Sequence, residues 1–386
     1  MPGFELIGQE EFEELKSIFE HGGGIMFRHG FDNLRNDSFK VRDFEKAFAA
    51  RLGVEDALAV TSGTAALRVA LAGLGIGKGD EVITQSFTFV ATVEAIIEAH
   101  ATPICTEVDE TLNMDPADLE KRITPDTKAV IVVHMLGVPA RIDEIKAICD
   151  RHGVALIEDT AWGCGGSSKG RHLGTIGDCG TYSFDFAKTM TTGEGGMVVF
   201  RDPDAAALAR AWHDHGHENN PALPRWEDSR SGSGFNYRMS ELQGAVGLAQ
   251  IKKLDTVIQE QRRNKERIVG VVKDFPVTPR VIPDDVFETA DAFVFFTESN
   301  EQARRIRKEM LAQGFGTKIL PEAITWHYAA TWDHMPELVE AHGGSLKGAF
   351  PQTDDLLGRA VALPVSVKMP EDLEDRVRTA MQNAFS

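Results

Sequence analysis

A single lysine, Lys188, lies in residues 183–196 (SFDFAKTMTTGEGG) among small, hydroxyl-bearing and apolar neighbours, with three glycines behind it. Lysine ordinarily keeps its ammonium in water, and a run this apolar and glycine-rich reads as the inside of a domain. An amine held there loses proton affinity and gains the ability to attack carbonyl carbon and to carry protons. Two other segments carry complementary chemistry. Residues 61–67 (TSGTAAL) put hydroxyls and a glycine at the start of a helix, where free N–H groups and the helix dipole hold a phosphate. Ser62 also reads as an ordinary N-cap. Residues 154–163 (VALIEDTAWG) end a strand in Glu158 and Asp159, so that one carboxylate points into the crevice where ligands of parallel sheets bind.

A phosphate cradle, a carboxylate and a lysine are what pyridoxal 5′-phosphate requires: N–H and hydroxyl donors for its phosphate, an acid for its ring nitrogen, an amine for its aldehyde. In this reading Asp159 keeps the ring nitrogen protonated and Lys188 supplies the neutral amine. The glycines of TTGEGG let the backbone approach a ligand closely.

These segments need a scaffold, and the pattern of the chain supplies one. From about residue 60, helical spacing (SGTAALRVALAGLG, TFVATVEAIIEAH, RIDEIKAICDRHG) alternates with short apolar runs (DEVIT, TPICTEV, KAVIVVHML, VALIED). Fully apolar strands between helices predict an α/β fold with a mainly parallel sheet covered on both faces. A polar segment, HENNPALPRWEDSRSGSG, forms a long functional loop. A continuous helical stretch from Ser240 follows, and the domain boundary is placed inside it. Residues 1–250 then form a large domain with its N-terminal segment, and residues 251–386 a smaller C-terminal α/β domain.

The 386 residues suffice for two domains. The net charge of −18 is spread along the chain and argues against a nucleic-acid-binding face. Cys105, Cys149, Cys164 and Cys179 form no disulfide framework or CxxC pair, which points to a reducing cytoplasm. The acidic N-terminus is no secretory signal, and no apolar run is long enough to span a membrane.

Taken in order, SGTAAL, FTFVATVEAI, VALIEDTAWG, GTIGDCGTYSFDFAKTMTTGEGG and GFNYRMSELQGAVGLAQ resemble the DegT/StrS type of pyridoxal-phosphate-dependent sugar aminotransferases over most of the chain. The resemblance implies the aspartate-aminotransferase fold (fold type I), with a seven-stranded sheet in the large domain. It makes Lys188 the Schiff-base lysine and Asp159 the partner of the ring nitrogen. Phe89 would stack on the cofactor, with a core position on an apolar helix face as the alternative. Ser62, Gly63, Thr64 and Ser183 would hold the phosphate. Asn236 matches a residue that the family contributes from the neighbouring subunit, which implies a homodimer with shared active sites. Where the family has Gln or His, this chain has Trp162, whose indole donates one hydrogen bond and accepts none. Trp162 therefore either reshapes the sugar pocket or packs in the core.

The resemblance further implies glutamate as amino donor and a keto-sugar as acceptor. An octulosonate-type lipopolysaccharide sugar comes first, echoed in MPGFEL, FRHGFDNLRND, VVHMLG, DHGH and TWHY, and a nucleotide-linked 3-keto or 4-keto sugar comes next. A sugar dehydratase of this fold would carry His at the position of Lys188, and a non-catalytic regulator would carry a DNA-binding module. His213, His215 and His217 are spaced for a strand or loop rather than a helical metal site. His215, His217 and His327 are placed at the substrate mouth instead. Arg28 and Arg35 are candidates for holding an anionic sugar, while Lys40 and Arg42 read as partners of acidic neighbours.

Overall fold

The computed structural model describes residues 2–220, 222–230 and 232–386. After a short strand β1 (Leu58–Val60), which no apolar run announced, the four apolar runs become β2 (Glu81–Gln85), β3 (Thr102–Thr106), β4 (Thr127–Val133) and β5 (Ala155–Asp159). After them come the two-residue β6 (Ser167–Ser168) and β7 (Arg171–His172), then β8 (Cys179–Ser183) and β9 (Gly196–Phe200). Seven of these form one sheet in the order β1-β9-β8-β5-β4-β2-β3. Only β9 runs antiparallel to its neighbours, so six strands point the same way. Parallel neighbours require crossovers, and these are the helices Gly63–Gly73, Val90–Glu98, Pro116–Arg122 and Ile142–His152. Their ends follow local signals: Ser62 caps the first, Asp115 and Pro116 start the third, and Gly153 at φ +66° stops the fourth.

Side chains alternate across the sheet. Ile131, Ile157 and Val198 join one core with Leu67 and Val69, whereas Val130, Val132 and Leu156 join another with Ile142 and Ile145. Both faces are therefore covered, as the unbroken apolar runs require.

The chain beyond residue 272 adds β10 (Thr278–Pro279), β11 (Val286–Phe287), β12 (Ala292–Phe296) and β13 (Ala360–Pro364). β11 pairs with β6, and β10-β12-β13 form an antiparallel sheet. One face of this second sheet, Phe293, Phe295, Val361 and Leu363, packs on residues of the helices Asn300–Ala312 and Leu373–Phe385. Its other face, Ala292, Val294, Phe296, Ala360 and Ala362, shares a core with Phe87, Val90, Val133, Met135 and Trp162. Those partners follow the carboxyl ends of β2, β4 and β5, so the second sheet packs over the end of the large sheet where a crevice is expected.

The continuous helix predicted after Ser240 is instead two helices, Glu241–Ile251 and Leu254–Val272. The break at Lys252 and Lys253 contains no Gly or Pro; tertiary contacts make it. Lys253 Nζ reaches Leu6 O at 2.7 Å, Glu10 at 3.0 Å and Glu11 at 2.8 Å. The second helix bridges the two parts, with Leu254 and Ile258 in the large core and Ile268, Val271 and Val272 in the small one. No helix among the described residues is long and apolar enough to cross a membrane.

Candidate active site

Parallel strands deliver the residues after their carboxyl ends to one edge of the sheet, and the candidate residues collect there. Ser183 ends β8 opposite Gly196 of β9, which in turn lies opposite Val60 of β1, two residues before Ser62. A methyl group added to Gly63 would stand 2.7 Å from Ser183 Cβ, so the helix start and the end of β8 are in close contact. Ser62 accepts from Ala65 N at 3.0 Å, while among the described residues no protein acceptor takes the amides of Gly63 and Thr64. Among the described residues, Ser183 Oγ accepts just one long hydrogen bond, from Asp185 N at 3.4 Å. A helix N-terminus with two open amides beside a hydroxyl has the donors that can hold an anion.

Two of the three glycines of TTGEGG stand against protein rather than open space. A methyl group added at Gly196 would overlap Ser62 O, and one added at Gly195 would overlap Thr192 Oγ1. These two let protein backbone approach protein, whereas a methyl group added at Gly193, at φ +81°, would meet nothing within 4 Å.

Glu158 and Asp159 divide by the two-residue period of a strand. Glu158 faces inward, accepting from Gly174 N at 2.9 Å and from Ile176 N and Gly177 N at 2.6 Å, with His134 Nε2 at 3.2 Å. It ties the loop before β8 to the sheet. Asp159 faces the crevice and is also buried, yet its one backbone donor is Ala161 N at 2.9 Å. Burial pushes its carboxyl above the ordinary range, offset in part by Ala161 N–H, Lys188, His134 and Thr92. A cation bound beside it would recover the ionised form.

Lys188 is partly buried, on a loop closed by its own N–H to Asp185 O at 3.0 Å and by Gly3 N donating to its carbonyl at 3.0 Å. Its Nζ lies 3.6 Å from the centroid of the Trp162 ring. Burial lowers its pKa to about 8, against the opposing pull of Asp159 and Asp291. Trp162, 8 % exposed, packs in the shared core, the second of the two roles weighed for it, and its ring also meets the lysine.

Residues 326–328 run antiparallel to residues 87–90, through Thr88 N to His327 O at 2.9 Å and Val90 N to Trp326 O at 2.8 Å. This brings His327 to 6.3 Å from Trp162 and 5.3 Å from Phe89, between ring centroids. Burial, with Lys188 and Lys318 nearby, drives the His327 imidazole down to about 4. Among the described residues its buried Nδ1 has no hydrogen-bond partner. Phe89 is not on a buried helix face: it is the N-cap of the helix Val90–Glu98, 38 % exposed, and stacks on the exposed Trp326 at 6.2 Å.

Other expected site residues lie elsewhere. Arg28 is buried on Glu45 at 2.5 Å and Ala59 O at 2.8 Å, and Arg35 is buried on Phe27 O at 2.7 Å and over the Phe39 ring. Buried guanidinium groups need such acceptors, which leaves neither placed to hold a sugar beside Lys188. Lys40 pairs with Glu14 at 2.8 Å, while Arg42 lies over Phe39 rather than beside an acid. His213 is fully buried with Nδ1 on Arg210 O. His217 binds Asp228 at 3.2 Å, the carboxylate that also gathers Asn219 N and Asn220 N; His215 sits at φ +56° in the same turn. Asn236 is exposed, on a segment that pairs beside β1 through Thr61 N to Tyr237 O.

Two residues that sequence reasoning did not find, Lys318 and Asp291, complete the crevice. Lys318 Nζ grips both Asp291 oxygens at 2.6 and 2.5 Å and lies 4.6 Å from the Trp162 centroid. Neither sits in a motif, and each lies more than 100 positions from Lys188.

The donor set fits one group: open amides and a hydroxyl for a phosphate, a carboxylate whose ionised form needs a cationic partner, and an amine of lowered proton affinity within the same crevice. Known proteins point the same way. The model described as the DegT/DnrJ/EryC1/StrS aminotransferase family matches residues 32–382. GDP-perosamine synthase of Caulobacter vibrioides is 42% identical over 231 residues, 60% of this chain and 60% of that protein's length. The spore coat polysaccharide biosynthesis protein SpsC of Bacillus subtilis is 33% identical over 392 residues, 98% of this chain and 95% of that one. The X-ray structure of the aminotransferase from Psychrobacter cryohalolentis superposes with a TM-score of 0.86 at 26% identity, covering 98% of this chain and 97% of that one.

Proposed function

The chain belongs to the DegT/DnrJ/EryC1/StrS aminotransferase family, and from that premise we propose that it moves the amino group of glutamate onto a keto-sugar carrying an anionic group. It is a pyridoxal-phosphate-dependent aminotransferase of the aspartate-aminotransferase-like fold. The observation that carries the reading is the meeting of Lys188, Asp159 and the open helix start at Gly63 in one crevice. The acceptor we favour is an octulosonate-type sugar acid, with a nucleotide-linked keto-sugar next, the latter supported by similarity to a GDP-perosamine synthase. Similarity to a polysaccharide biosynthesis protein supports a role in lipopolysaccharide or other surface-sugar synthesis.

When bound, pyridoxal phosphate supplies a carbonyl that takes up the amino group and a cationic ring that withdraws electrons. The remaining work falls to side chains. Asp159, whose carboxyl burial pushes toward the neutral form, would be held ionised by a cationic ring nitrogen and would in turn keep the proton there. The Gly63 and Thr64 amides with the Ser62 and Ser183 hydroxyls would anchor the phosphate, and Phe89 would stack on the ring. Lys188, neutral in a large fraction near pH 8, takes a proton from the substrate carbon and returns it, as general base and then acid. Trp162 and the core beneath it exclude water from that exchange.

The active unit is proposed to be a cytoplasmic homodimer. The exposed side chains of Phe12, Phe19, Phe31, Leu34, Trp226 and Phe235 support a second copy as their cover, and in that dimer Asn236, itself exposed, would serve the partner's phosphate. The test takes purified protein, whose sedimentation should report twice the chain mass of 42.3 kDa. It is incubated with glutamate and separately with octulosonate-type and nucleotide-linked keto-sugars, and 2-oxoglutarate and amino-sugar are followed by mass spectrometry. Stoichiometric release of both supports the reading. A cofactor that stays in its aldehyde form with every donor and acceptor would instead support a non-catalytic regulator, and sugar dehydration without amine transfer a dehydratase.

A further inference from the structure

We propose that Lys318 and Asp291 act together as a positioning pair that sets how tightly Lys188 holds its proton, with Trp162 as the surface on which both ammonium groups rest. This rests on Lys188 being the reactive amine of the proposed function.

The pair is built into rigid parts of the C-terminal region. Asp291 directly precedes β12, is 2 % exposed, and its carbonyl accepts from Val365 N at 3.1 Å. Lys318 N donates to Ala362 O of β13 at 2.8 Å. Both carboxylate oxygens of Asp291 bind Lys318 Nζ, which fixes that ammonium 4.6 Å from the Trp162 centroid. Lys188 Nζ lies 3.6 Å from the same centroid. An indole face attracts cations but offers no acceptor lone pair, so Trp162 gathers two ammonium groups without neutralising either.

The charges facing Lys188 come from four elements. Asp159 ends β5, Asp185 belongs to the lysine's own loop, Asp291 precedes β12, and Lys318 lies on the segment beside β13. The three carboxylates favour the charged amine and Lys318 opposes it, on top of the larger effect of burial. His327, the remaining titratable neighbour, is neutral at working pH because its own proton affinity is depressed. Lys318 and Asp291 therefore push in opposite directions, and deleting them singly has opposite consequences. A pair whose only task was to stiffen the fold would give no such sign reversal.

The test is the pH dependence of Lys188 labelling by an amine-directed reagent in cofactor-free protein, read peptide by peptide in a mass spectrometer. Lys318→Met should raise the midpoint by about one unit and Asp291→Asn lower it by a comparable amount, about one unit. Lys318→Arg, which keeps the charge, should restore the wild-type midpoint. In protein loaded with cofactor, the pH at which the visible absorption changes should move in the same order. Should Lys318→Met fail to fold, Lys318→Gln takes its place with the same expectation. Midpoints that coincide, or that move in the same direction in both variants, would overturn the inference. If Lys188 labelling were unaffected by adding cofactor, the assignment of Lys188 itself would fail, which separates the two outcomes.

Discussion

Replacing Lys188 with alanine is expected to slow both half-reactions by on the order of 10⁴-fold, the upper end of what a positioned proton carrier contributes. The fold should survive, because the side chain's direct contact is with the Trp162 ring, while the backbone N–H and carbonyl of residue 188 keep their bonds to Asp185 O and Gly3 N whatever the side chain. Stability carries a second signature. The folded-state pKa of about 8 lies below the usual lysine value of 10.5. Between those pH values the unfolded chain binds more protons, so wild-type stability rises with pH there. Lys188→Ala should lose that rise, a difference visible in thermal melts recorded across the window. Retention of multiple turnovers by the variant would remove Lys188 from its role.

Asp159→Asn separates the chemistry from the fold in the opposite way. Removing one partner of a buried, hydrogen-bonded charge pair costs about 2–5 kcal/mol. With the interaction lost in the transition state, transamination should fall on the order of a hundred- to a thousand-fold. Cofactor-free protein should lose nothing in stability. Its carboxyl is raised by burial, so the folded chain holds the proton more tightly than the unfolded one, and stability declines as pH rises through that raised value. Asparagine abolishes the decline. Denaturant titration at neutral pH should therefore find cofactor-free Asp159→Asn equal to or more stable than wild type. A variant that is less stable in the absence of cofactor but fully active would contradict this assignment.

Much of the architecture was legible because local and global preferences agree along the large domain. The runs DEVIT, TPICTEV, KAVIVVHML and VALIED became β2 to β5, and Ser62 and Gly153 mark helix ends as their chemistry demands. The crevice residues Lys188, Asp159, Ser62, Gly63 and Ser183 were legible for a related reason. Each sits within a few residues of the end of a parallel strand or the start of a helix, and topology brings such points together.

What escaped the sequence depends on long-range partners. Arg28 and Arg35 look like free cations until Glu45 and the carbonyls of residues 25–30 fold around them. The helix break at Lys252 comes from the N-terminal acids Glu10 and Glu11. Lys318 and Asp291 reach the site only because the second sheet packs across the first. His217 belongs to a loop organised by Asp228, a contact that spacing alone does not reveal.

The central claim is a covalent bond between the amine at position 188 and the cofactor carbonyl. Borohydride converts such an imine to a stable secondary amine, so holoprotein reduced in this way, digested and sequenced by mass spectrometry reports the attachment point. The account predicts a phosphopyridoxyl group on the peptide containing Lys188. Finding it on Lys318, or on no lysine at all, would contradict the account.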